Sequence, residues 1–159
     1  MEKTKKSQEN KIHIVIDSRE QNPFLFKNYP VELHFGSLMT GDYSLKGFEK
    51  NIALERKSLP DLISCFTSGR DRFKNEMERM RSFESCAIIV ESPFIELAKG
   101  NYRSKLPAES AVQSVISIMQ EYRMPVWFAA NRVEAEHVAW DFLRHFHRHA
   151  MEKFKSLQK

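Results

Sequence analysis

Ile52-Ala53-Leu54-Glu55-Arg56-Lys57-Ser58-Leu59-Pro60-Asp61 runs from an apolar segment through three charges into a helix start. The apolar part predicts a strand over Ile52–Arg56. Side chains on a strand repeat about every two residues, so Glu55 and Lys57 fall on one face and Arg56 on the other. Ser58 reads as an N-cap, with an early Pro60 and an acid, Asp61, three residues after the cap. Upstream, Gly41-Asp42 reads as a turn, Tyr43-Ser44-Leu45 as extended chain, and Lys46-Gly47 as a reversal. Asp42 thus precedes Glu55 across a hairpin-like return that lets the two carboxylates meet.

Two carboxylates converging at strand ends form a hard-oxygen site suited to Mg²⁺ or Mn²⁺. A cation there neutralises a phosphate and lowers the pKa of a bound water. Lys57 beside it can orient or deprotonate that water, or stabilise negative charge in the transition state. Taken alone, an Asp followed by Glu-x-Lys is a weak signal. The plain alternative is a turn Asp and a solvated Glu–Lys face.

Outward from this core, Ile12–Asp17 is a β-branched run expected to be a buried strand, and Val31–Leu38 is a second strand candidate. Val31–Arg56 as a whole reads as a meander of antiparallel strands. Ser68-Gly69-Arg70-Asp71 repeats the cap grammar of Ser58–Asp61 and opens a helix with Phe73, Met77 and Met80 inward. Ala87–Val90 is a strand. Pro107 opens a helix with Ala111, Val115, Ile118 and Met119 inward, and Val126–Ala129 is a last strand. A final helix runs from about Val133 towards Lys155. Strands first, then strands alternating with helices, predict an α/β domain with a mixed sheet and helices on its faces.

A length of 159 residues fits one domain, taken as 11–155, with short tails at 1–10 and 156–159. No apolar run is long enough for a membrane-spanning helix, and the N-terminus has no signal-peptide pattern, so a cytoplasmic protein is expected. Cys65 and Cys86 lie among apolar neighbours and read as reduced core residues. The net charge of +4 leans weakly towards a polyanion. The basic stretches Lys99–Lys105 and Arg144–Lys155 can follow phosphates or simply be solvated surface. His137, Asp141, His145 and His149 are spaced four apart, but such a stripe drifts around a helix, and a solvated edge is favoured over a zinc site.

Asp17-Ser18-Arg19-Glu20, Gly41-Asp42-Tyr43, Glu55-Arg56-Lys57-Ser58-Leu59-Pro60-Asp61 and Gly69-Arg70 occur in one order. The set closely resembles the nuclease domain of the XPF family of structure-specific endonucleases. That family's signature is Asp-x-Arg-Glu on the first strand, then Gly-Asp, a variable gap, Glu-Arg-Lys, three residues and Asp. The resemblance covers about Ile12–Val90 by motif and the remainder by element order. It implies a restriction-endonuclease-like, PD-(D/E)xK fold and a divalent-metal DNA endonuclease acting on branched, flap or fork structures. It implies Asp42 and Glu55 as metal ligands, Lys57 as the catalytic lysine, and Asp17 and Asp61 as supporting acids, with Asp17 a further metal ligand. Arg19, Arg56, and Arg70 or Arg72 would contact DNA, with Glu20 nearby. Asp61 alternatively serves only its capping box, Arg56 an ion pair, and Asp17 the turn after its strand. The family's tandem helix-hairpin-helix module has no counterpart, because Pro107–Lys159 is needed to complete the fold. Glu76 stands where many members have Gln. The resemblance also implies a homodimer or a separate DNA-binding partner, with Trp140 among the candidate interface residues. A non-cleaving scaffold subunit is the alternative, and the presence of all the acids and the lysine weighs against it.

Overall fold

Ile12–Asp17 forms β1, and its alternation decides how the two faces of the sheet are used. Ile12, Ile14 and Ile16 point into one core cluster, so His13, Val15 and Asp17 point to the opposite face. The computed structural model describes residues 11–158, and the expected 1–10 tail lies outside them. The remaining elements are β2 (Val31–Gly36), β3 (Tyr43–Leu45), β4 (Ile52–Lys57), α1 (Leu59–Phe66), α2 (Arg70–Met80), β5 (Ser85–Val90), α3 (Phe94–Lys99), α4 (Ala108–Glu121), β6 (Val126–Phe128) and α5 (Arg132–Leu157).

The six strands form one sheet in the order β2-β1-β3-β4-β5-β6. Only β3 runs antiparallel to its neighbours; β1–β2, β4–β5 and β5–β6 are parallel pairs. The expected meander is therefore corrected. β2 does not pair with β3 but lies at the sheet edge beside β1, with Ile12 opposite Val31 and Asp17 opposite Gly36. The turn-rich segment 18–30 acts as a crossover, and β1 takes the place next to β3.

Helices cover both faces, as expected for a mixed sheet of this kind. α5 packs Ala135, Ala139, Trp140 and Leu143 onto Ile14, Ile16, Ile52 and Leu54. α1, α2 and α4 bury Leu62, Phe73, Met77, Ala111 and Val115 with Ala53, Ile88 and Val90 on the other face. Ser58 caps α1 as expected, accepting the Asp61 N–H. α2 departs from the same grammar: Gly69 is its N-cap and no side chain caps it. A Cβ on Gly69 would lie 3.1 Å from the Ser64 carbonyl oxygen, so close packing of α1 on the turn selects glycine there. α3 is unanticipated in the sequence. α5 extends to Leu157, so residues 156–157 are helical rather than tail. Among the described residues no helix is long and apolar enough to cross a membrane.

Candidate active site

Because β1 and β4 both flank the antiparallel β3, they run in the same direction and end together. Asp42 lies at that junction. Its carbonyl accepts the Asp17 N–H, and its own N–H donates to the Leu54 carbonyl, both at 2.8 Å. Gly41 makes this approach possible. Its φ is +77°, and a Cβ there would meet Ala53 Cβ and the Leu54 carbonyl oxygen at 3.2 Å. The Arg56 N–H donates to Asp42 Oδ2 at 2.8 Å and fixes the carboxylate above the end of β4.

Glu55 and Lys57 share the Ala53 face of β4, as the alternation predicts. Lys57 Nζ donates to Glu55 Oε1, and Glu76 Oε2 on α2 lies 3.6 Å from the same ammonium. Glu55 is 5% exposed. Burial raises its pKa well above the usual carboxylate range, and the charges of Asp42 and Glu76 add to the effect against Lys57. Burial likewise pushes Asp42 up to about 6, with Glu20 and Glu76 adding to it against the Arg56 N–H and Lys57. For Lys57, burial favours the neutral amine, but Glu55 and Glu76 outweigh it and raise the pKa. Lys57 is therefore a cation at neutral pH, which suits charge stabilisation rather than proton abstraction.

A buried carboxylate, Glu55, beside a half-buried one, Asp42, both with raised pKa values, suits a divalent cation, because such a charge relieves their repulsion. The Asp42 oxygen not held by the Arg56 N–H and the Glu55 oxygen not held by Lys57 are the donors left for it. Two residues before Asp42, buried Thr40 Oγ1 has no hydrogen-bond partner among the described residues.

Asp17 stands differently from its expected role as a metal ligand. Its Oδ1 accepts from Arg19 N and Nε at 2.8 Å, and its Oδ2 from an Arg19 terminal nitrogen at 3.0 Å and from Leu38 N at 2.8 Å. Those bonds use the four acceptor positions of a carboxylate, and the Arg19 hydrogen bond leads in lowering its pKa. Asp17 thus braces Arg19 and the segment after β2. Arg19 remains largely exposed beside the cleft, where Asp42 and Glu55 add to the raising of its pKa.

Arg56 makes the ion pairs that were its alternative reading. It points away from Glu55, is only 14% exposed, and donates to Glu20 at 2.9 Å and Glu91 at 3.1 Å. Glu91 also accepts from Arg132 at 2.9 Å, and Arg132 reaches the carbonyls of Asn22 and Pro23. A chain of charges thus joins the loop after β1, the end of β4, the end of β5 and the start of α5. Glu91 and Arg132 escaped the sequence reading because their partners are remote in the chain. Asp61 is exposed and accepts the Ser58 hydroxyl at 2.7 Å, completing the capping box; among the described residues it makes no hydrogen bond or ion pair with Asp42, Glu55 or Lys57.

Arg70 and Arg72 are both exposed at the start of α2. Arg70 lines a cavity between α2 and α4 with Lys74 and Gln113. Arg72 lies one turn before Glu76 on the face that meets Lys57. Trp140 is 7% exposed and stacks on Tyr29 at 5.1 Å, so it belongs to the core and not to an open surface. The α5 histidine stripe does not converge: His137 contacts Asp141 and Tyr29, while His145 and His149 contact Arg148. Both cysteines are free thiols.

The ERCC4 domain matches residues 16–139. Among solved structures, XPF from Aeropyrum pernix is similar over 83% of this chain and 60% of its own, with 21% identity and a TM-score of 0.68. The same protein in complex with DNA is similar over 87% of this chain and 66% of its own, with 20% identity and a TM-score of 0.69. The chain therefore spans less than two thirds of either structure. No curated protein matches it in a direct sequence comparison. With the ERCC4 match covering residues 16–139, from the end of β1 through the cleft and into α5, this chain belongs to the ERCC4 domain family and shares its fold with XPF from Aeropyrum pernix.

Proposed function

We propose that the chain is a divalent-metal-dependent DNA endonuclease that hydrolyses phosphodiester bonds at branched, flap or fork structures. The observation that carries this reading is the pairing of half-buried Asp42 with buried Glu55, with the Lys57 ammonium on Glu55. Asp42 and Glu55 would hold Mg²⁺ or Mn²⁺ through the oxygens that Arg56 N and Lys57 leave free. A divalent ion supplies charge neutralisation at the phosphate and a water of lowered pKa.

The chain's own residues do the rest. Glu76 and Glu55 keep Lys57 protonated, so its ammonium offers positive charge where negative charge grows on the phosphate. The Arg56 N–H holds Asp42 in one orientation, and the Glu20–Arg56–Glu91 links keep the strand end from shifting. Arg19 and Arg72, both exposed, would grip phosphates flanking the scissile bond. Arg70 lies further round α2. Selection of a branched substrate fits action with a second copy or a separate DNA-binding partner. Met151, Phe154 and Leu157, exposed on α5, offer apolar surface for that contact, whereas Trp140 does not.

The test is cleavage of labelled duplex, flap, fork and four-way-junction DNA with Mg²⁺ or Mn²⁺, beside Glu55→Gln, Lys57→Ala and an EDTA control. Metal-dependent cutting lost in both variants supports the enzyme. No cutting by wild type, with DNA bound equally by all three proteins, would replace it by a non-cleaving binding subunit.

A further inference from the structure

The parallel pairing of β1 and β2 sets His13 opposite Glu32 and Val15 opposite His34. His13, Glu32 and His34 therefore project from one sheet face, away from the Ile12–Ile14–Ile16 side. Their side chains converge. His13 Nδ1 lies 2.9 Å from His34 Nε2, and Glu32 Oε1 is 3.8 Å from the first nitrogen and 3.6 Å from the second. The two rings lie end to end, with centroids 5.1 Å apart and 22° between their planes, so each imidazole must turn to aim its lone pair at a shared ion.

These separations have a specific consequence. The point equidistant from three atoms at 2.9, 3.6 and 3.8 Å lies about 2.0 Å from each. That matches the ~2.0–2.2 Å bonds that Zn²⁺ makes to imidazole nitrogen and carboxylate oxygen. A small opening of the triangle lifts the ion out of its plane and leaves a fourth corner towards solvent, where Glu32 is exposed. A neutral His–His hydrogen bond explains the 2.9 Å contact alone but not why a carboxylate oxygen closes the triangle.

We propose that His13, Glu32 and His34 form a zinc-class site on the edge of the sheet, separate from the nuclease cleft. Two imidazole nitrogens and one carboxylate favour Zn²⁺, Co²⁺ or Ni²⁺ over Mg²⁺, whereas the all-oxygen cleft suits Mg²⁺ or Mn²⁺. The backbone preorganises the site, because all three ligands stand on two hydrogen-bonded strands. Its effect is a cross-link between β2, an edge strand, and β1. Leu38, just beyond β2, accepts from Arg19 and donates to Asp17, so the cross-link also steadies the segment that braces the cleft's first strand. The fourth corner is taken as water. This proposal does not depend on the nuclease reading.

The test is Zn²⁺ titration of the EDTA-stripped, dialysed full chain by calorimetry, with wild type beside His34→Ala, His13→Ala, Glu32→Gln, Asp42→Asn/Glu55→Gln and His145→Ala/His149→Ala. One Zn²⁺ per chain is expected in wild type and in the last two variants. A histidine ligand removed should weaken binding by about 100-fold or more, since even an outer partner of a ligand is worth about 10–100-fold. The folded state of each variant is checked by circular dichroism in EDTA. Two measurements need no variant. Co²⁺-loaded wild type should give the intense visible bands of a four-coordinate ion, and zinc should shift the imidazole nitrogen resonances of two of the six histidines. Unchanged Zn²⁺ affinity in the His13, Glu32 and His34 variants would overturn the proposal. So would loss of zinc in either control variant, a weak octahedral Co²⁺ spectrum, or shifts confined to histidines other than His13 and His34.

Discussion

Replacing Asp42 by Asn should make the protein more stable and useless as a metal site at once. Its pKa is raised from 3.8 to about 6, chiefly by burial, so the folded protein spends free energy to ionise it at neutral pH. At ~1.36 kcal/mol per pKa unit the shift corresponds to a ceiling of about 3 kcal/mol. Asn keeps an oxygen for the Arg56 N–H but carries no charge, and it also relieves Glu55, whose pKa Asp42 helps to raise. A gain of about 1–3 kcal/mol in metal-free buffer is expected, or roughly 2–12 °C at ~2–4 °C per kcal/mol for a chain of this size. The pH dependence carries the sign. The folded pKa lies above the unfolded one, so the stability given by Asp42's proton is complete below 3.8 and is lost as pH rises through about 6. The advantage of Asp42→Asn over wild type should therefore be absent near pH 3.8, open between that value and about 6, and stay level above. Urea denaturation of both proteins in EDTA across that range measures it. Equal or lower stability of Asp42→Asn at pH 7, or a difference that ignores pH, would refute the reasoning. Added Mn²⁺ should raise the melting temperature of wild type and leave the variant unmoved.

Mn²⁺ affinity of wild type should climb as pH rises through about 6, because the ion needs Asp42 deprotonated, and calorimetry across that range reads the climb. Glu76→Gln removes a charge that raises both Asp42 and Glu55, so the same climb should shift to lower pH; an unshifted curve would remove Glu76 from the site's electrostatics. Gly41→Ala forces a side chain into positive φ against Ala53 and Leu54, with a cost of about 1–3 kcal/mol and weakened Mn²⁺ binding. Glu91→Gln takes a charge from both Arg56 and Arg132 and should destabilise by about 3 kcal/mol in urea titration, as expected when a buried pair loses one partner.

The candidate constellation was legible because it is local. Gly41-Asp42 and Glu55-Arg56-Lys57 are joined by a short return, and strand alternation alone separates Glu55 and Lys57 from Arg56. The position of β2 was not, because hairpin-like proximity in sequence argued for β3 as its partner, while the parallel crossover to β1 leaves no local mark. The same misreading concealed the His13–Glu32–His34 triangle, whose members lie on two strands that the meander kept apart. The α5 histidines have a spacing that is visible in the sequence, but they meet Asp141, Tyr29 and Arg148 without forming a ligand cluster. The partners of Arg56 lie 35 and 36 residues away, beyond any periodicity. Asp17 and Asp61 were read from their place in the motif, yet Arg19 with Leu38, and Ser58, had already engaged their oxygens.

Strand β3 is three residues long, and its register with β4 holds one residue pair, Tyr43 with Leu54. Among the described residues it is nonetheless the only strand between the β2–β1 half of the sheet and the β4–β5–β6 half. Asp17 comes from one half, Glu55 from the other, and Asp42 from the chain entering β3. Side chains, more than the strand ladder, hold the two halves together: α5 packs Ala135, Ala139, Trp140 and Leu143 across Ile14, Ile16, Ile52 and Leu54, and the Glu20–Arg56–Glu91–Arg132 chain spans the same junction. The seam that carries Asp42 is narrow in backbone and riveted by these contacts, so loosening α5 or the ion pairs should disturb the cleft before the parallel strand pairs part.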